Sequence, residues 1–196
     1  MTRIYFAGVD LGQRQDPTAL AVVEWTGQGP GLSLRHLERM PLGTPYPEVA
    51  ERVSRRMRSR QLAGGRRHLI VDGTGVGPAV VDLLRQKDLQ SHLWPVTITG
   101  GGTESYADGY FRVPKRELIV GLEVLVEQGG LRIAEGMKDG AALVHEMSEM
   151  RVKLSGRARQ RYGAGRRGEH DDLVLAVALA CWGVRMVERQ AEDTKG

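Results

Sequence analysis

Apolar and β-branched positions run together over residues 3–9 and again over residues 19–25, with a connection rich in Gly, Gln, Asp and Pro between them. Two neighbouring strands are the expectation. Residues 27–31 form a Gly and Pro turn cluster, and residues 32–40 alternate well enough to predict a third strand of the same meander. The period then changes over residues 46–62, where Val49, Val53 and Met57 are spaced by four with arginines between them. That spacing predicts an amphipathic helix whose other face is basic. Residues 68–71 are a short apolar run ending at Asp72, and the glycines after it lead into a helix over about residues 78–87. Residues 93–99 read as a fifth strand, and residues 100–109 are glycine-rich and polar enough to predict a mobile loop.

Beyond that loop the pattern predicts a helix over residues 114–127 opened by Pro114, a short strand over 131–134 and a helix over 138–150. Residues 151–168 are basic, Gly-containing and poorly periodic, which predicts a loop or hairpin. A long apolar helix over about residues 170–188, through Leu173, Val177, Ala180 and Val184, closes the chain. Neither a repeat nor a linker interrupts this order. It predicts one α/β domain over residues 1–196, with a mixed five-stranded sheet whose first three strands are antiparallel, flanked by helices.

Composition narrows the class. At 196 residues and 41% hydrophobic content the chain can bury one real core, and is too short for two domains of ordinary size. The single cysteine, Cys181, lies in the apolar last helix, which leaves no disulfide framework and no cysteine zinc site and fits a reducing cytoplasm. No window approaches the roughly 18 consecutive apolar residues of a membrane span, and the N-terminus opens directly into a strand pattern. The formal charge is only +4, yet arginine far outnumbers lysine and the pI is near 9.5. Guanidinium groups match phosphate oxygens bidentately, so a polyanionic partner is indicated. Residues 52–67 hold seven Arg and no acid, and residues 151–167 hold seven Lys or Arg and no acid. With aromatics at 5%, contacts to a nucleic-acid backbone are favoured over base stacking.

Three acidic positions each sit where a hydrophobic element meets a loop: Asp10 ending the first strand, Asp72 ending the fourth, and Asp171 with Asp172 starting the last helix. If strands one and four are parallel neighbours, their carboxyl ends lie side by side, and a helix packed on the sheet can bring its first turn to the same edge. Carboxylates crowded in this way repel and need cations. Hard oxygen ligands select Mg²⁺ or Mn²⁺, and two such ions about 4 Å apart can activate a water and stabilise the leaving oxygen at phosphorus. Taken singly, each aspartate is most simply a turn or cap residue; the shared placement of all of them is what points to metal-dependent phosphodiester hydrolysis.

The segments Gly8-Val9-Asp10-Leu11-Gly12 with Asp16-Pro17-Thr18-Ala19-Leu20, Val71-Asp72-Gly73-Thr74-Gly75-Val76-Gly77, and Glu169-His170-Asp171-Asp172-Leu173-Val174-Leu175-Ala176 resemble the nuclease domain of phage terminase large subunits, of the RuvC and ribonuclease H superfamily. Pro114-Lys115 opening a helix before Gly130-Leu131-Arg132-Ile133 is similar to that family as well. The resemblance spans nearly the whole chain, and the His-Asp-Asp start of an Ala-rich helix is its most specific part. It implies a ribonuclease-H-like fold and Mg²⁺- or Mn²⁺-dependent endonucleolytic cutting of double-stranded DNA during genome packaging, in the cytoplasm of a phage-infected or prophage-bearing bacterium. The partners it implies are a terminase ATPase domain, the small terminase subunit or the portal.

Carried over by residue, Asp10 matches the first-strand metal ligand, Asp72 the second, and the Asp171 and Asp172 pair the helix-borne one. Adjacent helical residues point about 100° apart, so the two are not expected to be equal ligands; Asp171, whose relation to Leu173 and Ala176 is similar to that of the helix aspartate in ribonuclease H, is favoured, with Asp172 a second ligand or a carboxylate stabilised by the positive helix end. His170 is expected to cap, to orient a carboxylate or to contact phosphate, with a capping or surface role the simplest, and Asp16 to be a turn residue. Arg157, Arg159, Arg161, Arg166 and Arg167 run directly into His170 and would clamp a phosphate backbone without reading sequence. The chain has no Gly-x-x-x-x-Gly-Lys-Ser/Thr loop, so it is expected to lack the family's ATPase motor. Rival readings are a RuvC-like Holliday-junction resolvase and a sugar-kinase or actin-like ATPase domain, the latter disfavoured by length. A non-catalytic DNA-binding or assembly module is a third.

Overall fold

The computed structural model describes residues 3–12, 16–27, 31–155 and 170–193. Its first strands, β1 (Ile4–Asp10), β2 (Ala19–Trp25) and β3 (Leu32–Arg39), pair antiparallel in chain order. β4 (Arg66–Asp72) lies parallel to β1 on its other side, and β5 (His92–Thr99) lies parallel to β4. The expected five-stranded mixed core is thus present as β5-β4-β1-β2-β3. The sheet is wider than expected, with eight strands in the order β6-β7-β5-β4-β1-β2-β3-β8, where β6 is Ser105–Ala107, β7 Tyr110–Pro114 and β8 Leu131–Ile133.

Two expectations are corrected. Residues 100–109 are not a free loop: β6 and β7 form a hairpin turning at Asp108 (φ 55°) and Gly109 (φ 80°). Both turn residues take positive φ, the geometry that matches the twist of paired strands and that Asp-Gly favours. Glu104 ties the hairpin down, accepting from the Trp182 indole N–H at 2.9 Å and from Arg189 at 2.8 Å. Residues 151–155 belong to a helix rather than to a basic loop, and 156–169 lie outside the described residues.

The helices are α1 (Tyr46–Met57), α2 (Gly77–Arg85), α3 (Lys115–Glu127), α4 (Gly140–Ser155) and α5 (Asp172–Asp193), with a single 3₁₀ turn (Arg60–Leu62) after α1. No described helix is long and apolar enough to cross a membrane. β1 and β2 are buried along their length except at the last residue, as central strands covered on both faces must be. Strand alternation divides their side chains between two cores. Phe6, Ala21, Val23 and Ile70 face α5 and α3, whereas Tyr5, Ala7, Val9, Leu69 and Val71 face Val49, Val53 and Met57 of α1 and Val80, Val81 and Leu84 of α2.

α5 crosses β1 at Gly8. A Cβ there would lie 2.0 Å from the Ala176 carbonyl oxygen and 2.7 Å from the Ala180 amide nitrogen, both main-chain atoms that cannot turn aside. Gly8 therefore has a packing reason: it lets the small-residue face of α5 rest on the strand backbone. Away from that crossing, His68 is 3% exposed and stacks on Phe6 (centroids 5.0 Å), with Trp94 at 4.6 Å. Neither of its ring nitrogens has a partner, and burial first, then the charges of His92 and Arg66, push its pKa down to about 4.

Gly8→Ala should cost on the order of 3 kcal/mol or more, as overpacking against rigid backbone does, read from urea denaturation, while Gly102→Ala, where a Cβ meets nothing within 4 Å, leaves the midpoint unchanged. His68 makes stability fall with acid, since the unfolded chain takes up a proton near pH 6.5 that the folded state refuses until about pH 4. Between pH 7 and 4.5 the parent should lose ~2.5 kcal/mol more than His68→Phe, and equal losses in thermal melts at the two pH values would refute the assignment.

Candidate active site

Register and alternation together place the acids. β1 and β4 are parallel with Val9 beside Val71, so the next residues, Asp10 and Asp72, end neighbouring strands at one edge. Each is an even step from a residue of the α5-facing core, Phe6 for Asp10 and Ile70 for Asp72, so both carboxylates fall on the face that α5 covers. α5 begins at that edge with Asp171 and Asp172. β7, parallel to β5, delivers Pro114 and the first residue of α3, Lys115, to the same edge. β3, antiparallel to β2, ends there with Arg39 opposite Ala19.

Asp10 is half-buried, and its pKa stands well above the ordinary carboxylate value; burial is the largest cause, followed by the negative charges of Asp72, Asp171 and Asp172, with Lys115 opposing them. Asp72 is 9% exposed and is also raised by burial, against hydrogen bonds from Thr74 and Ile98 and the Lys115 charge that pull it down. The Thr74 amide and hydroxyl both donate to Asp72 Oδ1, at 2.9 and 2.5 Å, and the hydroxyl accepts from the Ile98 amide at 2.9 Å. The glycine-rich segment after β4 is the tight strand-to-helix turn expected, with Gly75 at φ 64°; its product is one fixed rotamer for Asp72.

The adjacent aspartates part company. Asp171 is partly exposed and its Oδ2 accepts from Lys115 Nζ at 2.5 Å. Asp172 is 2% exposed and accepts two bonds from Arg39, Nε to Oδ2 at 2.7 Å and Nη2 to Oδ1 at 3.2 Å. Arg39 Nη2 also bonds Glu146 of α4, whose Oε2 accepts from the Val174 amide at 3.3 Å. Burial works against the Arg39 charge, but its bonds to Asp172 and Glu146 outweigh it and raise its pKa. Glu146 is raised too, but toward its neutral form: burial and the Asp172 charge push it up to about 7 in spite of Arg39. One guanidinium serves two carboxylates, and the geometry puts Asp172 in the better, two-bond position.

His170 is exposed, with Nδ1 3.9 Å from Asp172 and 4.0 Å from the exposed Asp16. Arg157, Arg159, Arg161, Arg166 and Arg167 lie outside the described residues. Arg39, Glu146, Thr74 and Lys115 are the members of this edge that residue patterns do not single out, although Pro114-Lys115 opening a helix is a visible signal for the last. Among the described residues, no three acids, histidines or cysteines stand close enough to form a ready metal cage. The donors at hand are hard carboxylate oxygens, and their mutual repulsion is a demand for positive charge that Lys115 partly meets; in donor type and in electrostatics the cluster suits Mg²⁺ or Mn²⁺.

No family model and no curated protein sequence matches the chain. Solved structures do. The human cytomegalovirus terminase nuclease domain, manganese-soaked and inhibitor-bound, is similar at a TM-score of 0.61 and 13% identity, over 91% of this chain and 81% of that one. The P22 large terminase nuclease domain gives 0.58 and 12%, over 93% and 82%. The large terminase nuclease domain of bacteriophage SPP1, with bound manganese, gives 0.53 and 13%, over 92% and 86%. At such identities the likeness is one of architecture, and the chain has the ribonuclease-H-like fold of the terminase nuclease domains.

Proposed function

We propose that the chain is a divalent-metal-dependent endonuclease that hydrolyses DNA phosphodiester bonds, with Asp10, Asp72 and Asp171 as the ligands that gather its ions. The observation that carries this is the convergence of three strand and helix ends on one edge, where burial first, and then the negative charge of its neighbours, holds Asp10 protonation-prone. Such a cluster is costly as it stands and becomes favourable once cations are shared. The manganese of the SPP1 and cytomegalovirus structures accords with this reading. Mg²⁺ or Mn²⁺ held here supplies an activated water and a Lewis acid for the leaving oxygen.

The chain's own residues do the rest. Thr74 and the β5 edge keep Asp72 in one orientation. Lys115 holds Asp171, and its ammonium stands at the edge where a phosphate would arrive. Asp172 stays with Arg39, and His170, exposed beside it, meets the solvent side of the site. Arg157, Arg159, Arg161, Arg166 and Arg167, which precede His170 in sequence, clamp the backbone of double-stranded DNA. Genome packaging, beside a terminase ATPase domain, small subunit or portal, is the setting that the neighbours' function supports.

Supercoiled plasmid should be nicked or linearised with Mn²⁺ or Mg²⁺ and left intact with EDTA, and Asp10→Asn, Asp72→Asn and Asp171→Asn should each slow cutting at least ~10³-fold, about 4 kcal/mol of transition-state stabilisation. Full activity in any of the three would remove that residue from the site; a strong preference for four-way junctions would favour the resolvase, and ATP turnover without cleavage the kinase-like fold. Arg166→Ala with Arg167→Ala should weaken DNA binding and lower the slope of log affinity against log salt by about 2, whereas an unchanged slope would take these two arginines off the DNA.

A further inference from the structure

The edge that carries the acids also carries a buried ionic network that the proposed chemistry does not use. Arg39 ends β3, Glu146 lies in α4 at 6% exposure and Asp172 opens α5 at 2%. Arg39 grips Asp172 with Nε and Nη2 together and Glu146 with Nη2. Its main-chain N–H donates to Asp139 Oδ2 at 3.2 Å, just ahead of α4. One residue therefore ties the end of β3, the approach to α4 and the first turn of α5. Glu146 completes the loop by accepting from the Val174 amide, one of the N–H groups a helix start leaves unpaired.

Stability alone does not account for such a network. Taking two carboxylates and much of a guanidinium out of water is expensive, and apolar residues of the same shape commonly serve a core as well or better. What the charges add is orientation, because a planar guanidinium accepts a carboxylate in one geometry. Successive side chains of a helix diverge by about 100°. With Asp172 fixed toward β3, Asp171 is turned to the other flank, where Lys115 of α3 meets it and its charge reaches Asp10.

We propose that Arg39, braced by Glu146, is a positioning residue: by clamping Asp172 it sets the rotation of the first turn of α5 and so aims Asp171 at the carboxylates of β1 and β4. The proposal rests on the metal-site reading above for its use, but not for its geometry. Arg39→Lys keeps the charge and loses the fork. Arg39→Met combined with Asp172→Asn removes both charges and the fork, so that Asp172 is not left as an unpaired buried carboxylate; Glu146, whose pKa burial already raises, keeps the Val174 amide.

The test uses the full chain. Thermal melts report folding, calorimetric titration with Mn²⁺ reports affinity, and a metal-free crystal structure of the double variant reports where Asp171 points. The double variant should melt near the parent temperature, bind Mn²⁺ at least tenfold more weakly, and show Asp171 out of hydrogen-bond reach of Lys115; Arg39→Lys should fall between the two in affinity. A folded double variant with Asp171 still on Lys115 overturns the proposal, whether or not the parent binds manganese. A parent that binds Mn²⁺ without cutting DNA, or that binds none, counts against the nuclease reading alone, since the Asp171 orientation in the double variant is read without metal or substrate.

Discussion

Parallel pairing between β1 and β4 is the constraint from which the rest of the molecule follows. Because Val9 stands beside Val71, the two strands end together, and the aspartate that each exposes at its end cannot avoid the other. Neither can relax far. Asp72 is pinned by Thr74, which is itself held by the amide of Ile98 on β5, and Asp10 sits under the start of α5, whose approach is fixed by main-chain contact at Gly8. The fold concentrates negative charge and then closes the ordinary routes of escape, which is why burial and its neighbours leave Asp10 so reluctant to ionise.

Positive charge is distributed around that cluster with a clear division. Lys115, at the start of α3, faces Asp171 and moderates Asp10 and Asp72, while Arg39, at the end of β3, faces away from them toward Asp172 and Glu146. A lysine suits the first place because a flexible point charge can yield to a metal ion or a phosphate. An arginine suits the second because a rigid fork holds what it grips. Two acids adjacent in sequence thereby acquire different surroundings, one partly exposed and available, the other sealed.

The acidic ends were legible in the sequence because each depends on a local rule. An apolar run that stops at an acid, and a His-Asp-Asp start to an Ala-rich helix, survive without knowledge of what they touch, and they found Asp10, Asp72 and the Asp171–Asp172 pair. The clamp was not legible. Arg39 ends an alternating strand like any surface arginine, and Glu146 sits on a helix among other acids; only the antiparallel turn of β2 into β3 and the return of α4 bring them to Asp172, more than a hundred positions away in sequence from Arg39. The β6–β7 hairpin is a different case. Its signal, Asp108-Gly109 between Tyr106 and Phe111, is present, but strands of three and five residues are too short for periodicity to register against a glycine-rich background.

The two basic runs show why position outweighs count. In residues 52–67, Arg52 bonds Glu48 at 2.8 Å and Glu38 at 3.2 Å, and Arg67 spends its guanidinium on the carbonyls of Met57 and Leu62. The register that puts Asp72 at the site edge puts Arg66 and Arg67 beside Ile4 and Tyr5, at the opposite end of the same strands. The last two arginines of that run thus lie away from the acids, and part of its charge is spent within the domain. The run of Arg157, Arg159, Arg161, Arg166 and Arg167 has no acid among its own residues and leads within a few positions to Asp171. A phosphate backbone drawn to it would be delivered toward Asp171, the aspartate left partly open, rather than Asp172, the one Arg39 has taken.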